Sequence, residues 1–239
     1  MNRIVLAIAA FGSLALLPSV AHAQVPKTGP TPNPAVSMPP AMPPITKREV
    51  FVSGGYLIPA IVCNQLTAVS CSAGTRYGSH YFRGAAELPL GQSLTGLVAV
   101  DYRLFHYSDA TGTAIPADEE VDVRAGLRVL EPRLYLAVSY LRRNNDYGAP
   151  RLNAIGFGAE KLADTDQTFS LYGGAYYYPN IQGVYHELRY DMGVTLKTSQ
   201  HAPLFLQLGY LGDHTRSAGT APANEVRSGP YAGIGLTLP

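Results

Sequence analysis

Hydrophobic and polar side chains alternate along most of the chain after residue 47. In residues 184–196, one face of an extended strand would carry Val184, His186, Leu188, Tyr190, Met192, Val194 and Leu196. The opposite face would carry Tyr185, Glu187, Arg189, Asp191, Gly193 and Thr195. Residues 94–107 and 120–129 alternate in the same way. This alternation predicts β-strands, because successive side chains in a strand point to opposite faces.

About ten such segments follow one another and together predict an all-β fold. They lie at 48–58, 79–90, 94–107, 119–130, 133–142, 151–161, 168–178, 183–196, 204–212 and 229–238. Many are as long as the roughly 9–11 residues of a tilted strand that crosses a bilayer. We expect short connections at one end and mostly longer ones at the other, namely the Cys63–Cys71 loop and the connections at 108–118, 143–150, 179–182 and 213–228. The pattern predicts an up-and-down antiparallel transmembrane β-barrel of about ten strands, with eight as the alternative count.

One face of these predicted strands carries many charged side chains. They are Arg83, Glu87, Asp101, Arg103, Asp122, Arg124, Arg128, Glu187, Arg189 and Asp191. The bases are all arginine, whose planar guanidinium can pair with a carboxylate through two parallel hydrogen bonds. Because unpaired buried charges are costly, we expect these residues to form a network of ion pairs inside a narrow barrel.

The alternation alone leaves open which face is inside. A membrane barrel turns its apolar face outward, whereas a soluble barrel turns it inward. Tyrosines at strand ends favour the membrane arrangement, because tyrosine is enriched at both membrane–water interfaces. We predict an aromatic girdle formed by Tyr102, Tyr140, Tyr177 and Tyr210, and expect Tyr81 and Phe82 to begin a strand that returns from it.

The first 46 residues differ from the rest of the chain. Residues 1–23 have the features of a cleaved signal peptide: Arg3, an apolar run at 4–17, and the cleavage signal Ala21-His22-Ala23. Residues 24–46 are predicted to be a flexible tether, since residues 24–45 hold 8 of the 19 prolines. The barrel is predicted to occupy residues 47–239.

The two cysteines of the chain lie close together in sequence, at Cys63 and Cys71. An exported protein meets an oxidising environment, in which thiols form disulfides. The segment between them contains neither a CxxC motif nor a histidine, so a metal or redox site is disfavoured. We predict a disulfide that closes a loop.

The chain resembles the small outer-membrane β-barrel proteins of diderm bacteria, the opacity-protein and porin-like group. The resemblance covers about residues 48–238 and includes the final strand, Pro230-Tyr231-Ala232-Gly233-Ile234-Gly235-Leu236-Thr237-Leu238. It implies export to the outer membrane, contact with outer-membrane lipid and insertion by the barrel assembly machinery. Barrels of this group usually end in an aromatic residue, whereas this chain ends in Leu238-Pro239.

Composition and motifs give little support to other activities. The formal net charge is only +1, from 18 Lys and Arg against 17 Asp and Glu, so nucleic-acid binding has no electrostatic basis. His106 and Ser108, followed by Asp109, are similar to the active site of outer-membrane lipid A deacylases, and Asp213-His214 is similar to a pair in omptin-type proteases. Neither arrangement is complete, so we expect no catalytic, cofactor-binding or metal-binding residues.

The expected function is therefore one of three kinds. The first is a monomeric outer-membrane barrel with a charge-plugged interior and a structural or surface-interaction role through its outer loops. The second is a narrow pore for ions or small solutes. The third is a soluble periplasmic β-barrel that binds lipid inside, which requires the apolar face to point inward.

Overall fold

The computed structural model describes residues 49–57, 61–64, 79–91, 94–108, 114–130, 133–145, 152–164, 166–179, 184–217 and 224–238. These residues all belong to the compact unit Ala41–Pro239. The predicted signal peptide and tether, and Cys71, lie outside the described residues. Within the described residues, no helix is long and apolar enough to cross a membrane.

The described residues form eleven β-strands. In chain order they are β1 (Glu49–Leu57), β2 (Ile61–Asn64), β3 (Ser79–Pro89), β4 (Thr95–Ser108), β5 (Ala114–Leu130), β6 (Leu134–Asn145), β7 (Leu152–Lys161), β8 (Phe169–Pro179), β9 (Val184–Leu196), β10 (Leu204–Ser217) and β11 (Asn224–Leu238). All ten predicted strands are present. The short strand β2 was not predicted.

The strands form a closed, antiparallel, up-and-down barrel. Neighbours in the sheet follow the chain order from β3 to β11, and β1 pairs with both β3 and β11 to close the ring. Strand β2 pairs only with residues 225–228 of β11, beyond the segment that pairs with β1. Because β1 and β2 occupy successive parts of the same side of β11, the barrel has ten strands, as predicted, and not eight.

The barrel has a proximal end, where β1 begins and β11 ends, and a distal end, where β1 ends and β11 begins. The proximal connections span three to seven residues, and the distal ones after β3 span four to six. The expectation of longer loops at 108–118, 143–150 and 213–228 was therefore wrong. Strands β5, β6, β10 and β11 continue into those segments, so the barrel wall itself extends at the distal end.

The apolar face of the strands points out of the barrel. Outward positions include Val98, Val138 and Ile234, whose exposed fractions are 46%, 57% and 64%. On β4, β5, β9 and β11 the outward apolar or small residues extend over positions 96–104, 121–129, 188–196 and 230–238. We call this surface the apolar band. The described inward positions combine apolar side chains such as Leu97, Phe105 and Leu211 with many charged and polar ones, so they do not form the wholly apolar interior of a lipid-binding barrel.

Several inward-facing aromatic rings lie against glycines of neighbouring strands. The Tyr172 hydroxyl on β8 contacts that of Tyr231 at 2.5 Å and lies 3.4 Å from the carbonyl of Leu208 on β10. Between β8 and β10 lies β9, where a Cβ on Gly193 would clash with the Tyr172 ring and with the Leu208 carbonyl. Because residue 193 is a glycine, the Tyr172 ring can lie over the inner surface of β9 and reach β10.

We expect Gly193→Ala to lower the free energy of unfolding by about 1–3 kcal/mol, because an added methyl group overpacks a filled site. The matched control is Gly91→Ala, since a Cβ there meets nothing within 4 Å; its effect should stay under about 0.5 kcal/mol. Urea titration of both variants measures the difference. Equal losses would contradict the role assigned to Gly193.

Candidate functional site: the charged barrel interior

The interior of the barrel contains a connected set of arginines and carboxylates. Most of these side chains are almost completely buried, and they come from every strand between β3 and β11 except β8, with a further carboxylate from β1. The inward acidic residues are Glu49, Glu87, Asp101, Glu120, Asp122, Glu160, Glu187, Asp191 and Asp213. The ion-paired inward arginines are Arg83, Arg103, Arg124, Arg133, Arg143, Arg189 and Arg227.

A central group lies halfway along the barrel. Arg83 Nε donates to Asp101 Oδ1 at 2.7 Å, and the same guanidinium contacts Asp191 on the far wall. Arg124 lies 3.0 Å from Asp101 and donates to Glu160 Oε2 at 2.6 Å. Asp101 is thus shared between Arg83, Arg124 and the more distant Arg103, at 3.7 Å, and Arg83 links β3 to β9 across the interior. These contacts occupy the cross-section through which a pore would have to run.

A distal group continues the network toward the other end. Arg143 is fully buried; its Nε donates to Glu120 Oε1 at 2.7 Å and its Nη2 to Glu187 Oε1 at 3.2 Å. Asp213 lies between two arginines, 3.1 Å from Arg103 and 3.0 Å from Arg189. Arg189 also lies 3.1 Å from Asp122, and Arg227 contacts Glu120. Each of these acids meets more than one arginine or hydroxyl, so the charges are stabilised collectively.

A proximal group is centred on Arg133, in the connection between β5 and β6. Its backbone has φ of 56°, a left-handed conformation that is uncommon for a residue with a side chain. Its guanidinium reaches inside to Glu49 and Glu87 and donates to the Ala163 carbonyl at 2.8 Å. It also lies 4.9 Å from the centre of the Phe51 ring. The contacts join β1, β3 and the β7–β8 connection at the proximal end.

Two small cavities lie beside these charged groups. A cavity of about 50 Å³ in the proximal half is bordered by Arg83, Glu160, Tyr172 and Asp191, among others. A second space of about 10 Å³ lies within the central group. A single water needs about 10–15 Å³ of such volume, so these spaces have room for only a few waters.

The structure brings the predicted charge network together. The ion pairs of the interior include the predicted residues Arg83, Glu87, Asp101, Arg103, Asp122, Arg124, Glu187, Arg189 and Asp191. The tenth, Arg128, is half-buried and lies opposite Tyr135 in the register of β5 and β6.

Seven ionisable partners were missed by the sequence analysis: Glu49, Glu120, Arg133, Arg143, Glu160, Asp213 and Arg227. Several lie where the predicted strands were too short, because Arg143, Asp213 and Arg227 were assigned to loops. The signal that could have found two of them is the alternation itself, since Arg143 and Asp213 each lie three positions after a tyrosine predicted to face outward, Tyr140 and Tyr210, and so belong to the opposite face of a continued strand.

The four predicted girdle tyrosines all lie on the outer face. Tyr140, Tyr177 and Tyr210 are 47%, 38% and 40% exposed, and Tyr102 is half-buried on the same face. Phe82 also points outward, but Tyr81 does not. Tyr81 is 6% exposed and its hydroxyl donates to Gln207 at 3.0 Å inside the barrel. Neighbouring residues of a strand face opposite ways, so Phe82 and Tyr81 cannot share the outer surface.

The candidate enzymatic residues are not arranged as catalytic groups where the structure describes them. Asp213 faces inward and is paired with Arg103 and Arg189, whereas His214 faces outward. The side chain of Ser108 and all of Asp109 lie outside the described residues, so the pairing with His106 stays open. The predicted disulfide also stays a prediction, since Cys71 and the side chain of Cys63 lie outside the described residues.

The chain matches no protein-family model, and no functionally curated protein matches it significantly. The functional argument therefore rests on the geometry of the barrel.

Proposed function

We propose that this protein is an outer-membrane β-barrel with a charge-plugged interior that acts as a structural or surface-interaction protein. The observation that carries the proposal is the distribution of side chains in the barrel. The exposed face is apolar in a continuous band, and the charged residues are inside. In water this arrangement leaves a large apolar surface exposed, whereas in a bilayer the band meets lipid.

The dimensions of the apolar band support a membrane location. On four strands it extends over nine residues, within the range of about 9–11 that a tilted strand needs to cross the hydrocarbon layer. The closed ring gives each of its ten strands, β1 and β3 to β11, hydrogen-bonded neighbours on both sides, as a bilayer requires because it offers no water to unpaired backbone groups. The outward tyrosines Tyr102, Tyr140, Tyr177 and Tyr210 then lie at one membrane interface, as an aromatic girdle.

The interior supports a plugged barrel more than a pore. The central group spans the cross-section through the contacts of Arg83 with Asp101 and Asp191, and the cavities hold only a few waters. A narrow pore remains the second candidate function, because the 50 Å³ cavity is lined by charged residues such as Arg124 and Glu160.

The cellular setting forms part of the same proposal. Residues 1–23 direct export, and the mature chain reaches the outer membrane of a diderm bacterium through the barrel assembly machinery. The chain functions there as a monomer in the manner of the opacity-protein and porin-like group. The distal end, with its extended strands, lies on the outside of the cell, and its loops present the surface on which partners bind.

A charge on the apolar band separates the membrane proposal from the soluble alternative. Val138 is 57% exposed on β6 and pairs with Phe157 of β7. In a bilayer we expect Val138→Arg to lower the free energy of unfolding by about 2–4 kcal/mol and Asn144→Arg, on the same outward face near the distal end, by about 0–1 kcal/mol. Urea unfolding of the vesicle-reconstituted proteins measures both. If the two variants behave alike, the band does not face lipid.

Removing an ion pair from the central group separates the plug from the pore. We expect the parent protein to be silent in planar bilayers, and the variant Asp101→Ala/Arg124→Ala to conduct, because it removes two side chains that fill the cross-section. The control Glu119→Ala/Arg142→Ala removes an acid and an arginine from the outer face and should stay silent. A parent protein that already conducts, with only its ion selectivity altered in the first variant, would favour the pore.

A further inference from the structure

A set of polar side chains lies on the outer face of the barrel beyond the apolar band, on β3 to β6, β9 and β10. We call it the distal collar; its members are His80, His106, Glu119, Arg142, Asn144, His186, His214 and Arg216. It begins two to four positions beyond the girdle tyrosines along the rising strands: Arg142 follows Tyr140 on β6, and His214 follows Tyr210 on β10. Glu119 is the single carboxylate among these described members of the distal collar. The collar is thus rich in arginine and histidine.

The arginine and histidine side chains of the collar are most concentrated on strands β9 and β10. Arg216 lies directly opposite His186 in the register of these strands, and opposed side chains on one face of a sheet are in contact distance. The rings of His186 and His214 lie 6.4 Å apart, and the Tyr177 ring lies 5.8 Å from His186. One arginine and two imidazoles therefore converge on a single outward patch, which we call the β9–β10 patch.

The residues opposite the two histidines in the described strand registers carry no acidic side chain. In the strand registers, His214 is opposite Leu188 and Val226, and His186 is opposite Pro179 as well as Arg216. A guanidinium fork and imidazole N–H groups are donors that suit a phosphate oxygen. The patch therefore offers several donors to one anion, at a site that apolar and aromatic side chains border on the proximal side.

We infer that the β9–β10 patch binds the phosphate group of a membrane lipid, with His186, His214 and Arg216 as the donors. The inference rests on the proposed membrane location, which puts the patch at the height of the lipid headgroups, just beyond the Tyr177 and Tyr210 rings. The acyl chains of the same lipid then lie along the apolar band beneath, on Leu188, Met192 and Leu208. A free phosphate ion has the same headgroup chemistry but makes no contact with the band.

The variant His186→Gln/His214→Gln/Arg216→Gln tests this assignment. Its control is His80→Gln/His106→Gln/Arg142→Gln, which removes the same residue types from the collar on β3, β4 and β6. There the rings of His80 and His106 lie 5.5 Å apart, but Arg142 is on a strand that pairs with neither β3 nor β4, so this histidine pair has no arginine opposite it. The processed full-length proteins are reconstituted in phosphatidylcholine vesicles that contain either phosphatidic acid or diacylglycerol. Native mass spectrometry of the released barrels measures the lipid that stays bound.

We expect the parent protein to retain phosphatidic acid but not diacylglycerol, and the β9–β10 variant to bind phosphatidic acid about tenfold more weakly, as expected for the loss of a basic site near a lipid surface. The control should change by less than about twofold. Equal retention of both lipids, or equal loss in both variants, would overturn the inference. Displacement of phosphatidic acid by an equal concentration of inorganic phosphate would assign the site to free phosphate and would also overturn it.

Two further measurements distinguish a failure of the lipid-site inference from a failure of the proposed membrane location. Flotation with pure phosphatidylcholine vesicles measures membrane insertion without any phosphomonoester lipid, so a failure there counts against the membrane location itself. Heat-dependent gel mobility tests whether both triple variants fold. We expect both to fold, because their substitutions lie outside the ion-pair network. A variant that floats and folds but keeps its phosphatidic acid refutes the lipid site alone.

Discussion

The structure depends on the mutual pairing of buried arginines and carboxylates. Removing a charge from water costs several kcal/mol, and one partner seldom recovers that cost. Here the buried acids have several partners each: Asp101 of the central group pairs with Arg83 and Arg124, and Glu120 of the distal group pairs with Arg143 and Arg227. Because these partners sit on different strands, the contacts require the strand registers that are observed. A slip by one residue would turn the charged face outward on that strand.

The same constraint explains the use of small and aromatic residues around the network. A ten-stranded barrel has little interior volume, and long arginine side chains occupy much of it. Glycines on the inner wall provide room for the rest: Gly174 accommodates the Glu160 side chain, and Gly193 accommodates the Tyr172 ring. Tyrosine suits these positions because its ring fills space and its hydroxyl joins the polar contacts, as Tyr176 does with Glu160 at 2.8 Å. The packing of glycines and tyrosines and the pairing of charges therefore depend on each other.

The sequence predicted the barrel well because alternation directly reports the strand geometry. Residues such as Arg189 and Asp191, two apart, were placed on one face by period alone, and the structure puts both inside. Strand ends were harder. Asp213, within a polar segment, reads as a loop residue, and only its ion pairs with Arg103 and Arg189 identify it as part of the wall. Arg133 was assigned to the start of the predicted strand 133–142, whereas the structure puts it in a turn, and its inward reach depends on the unusual backbone conformation there.

The central claim is that an apolar exterior and a paired, charged interior make this chain a membrane-embedded barrel. Gel mobility of the membrane-extracted protein with and without boiling, combined with cell fractionation, tests it most directly. Closed barrels resist detergent until they are heated, so the account predicts a mobility shift on boiling and recovery in the outer-membrane fraction. A single mobility, with the protein soluble in the periplasmic fraction without detergent, would contradict it.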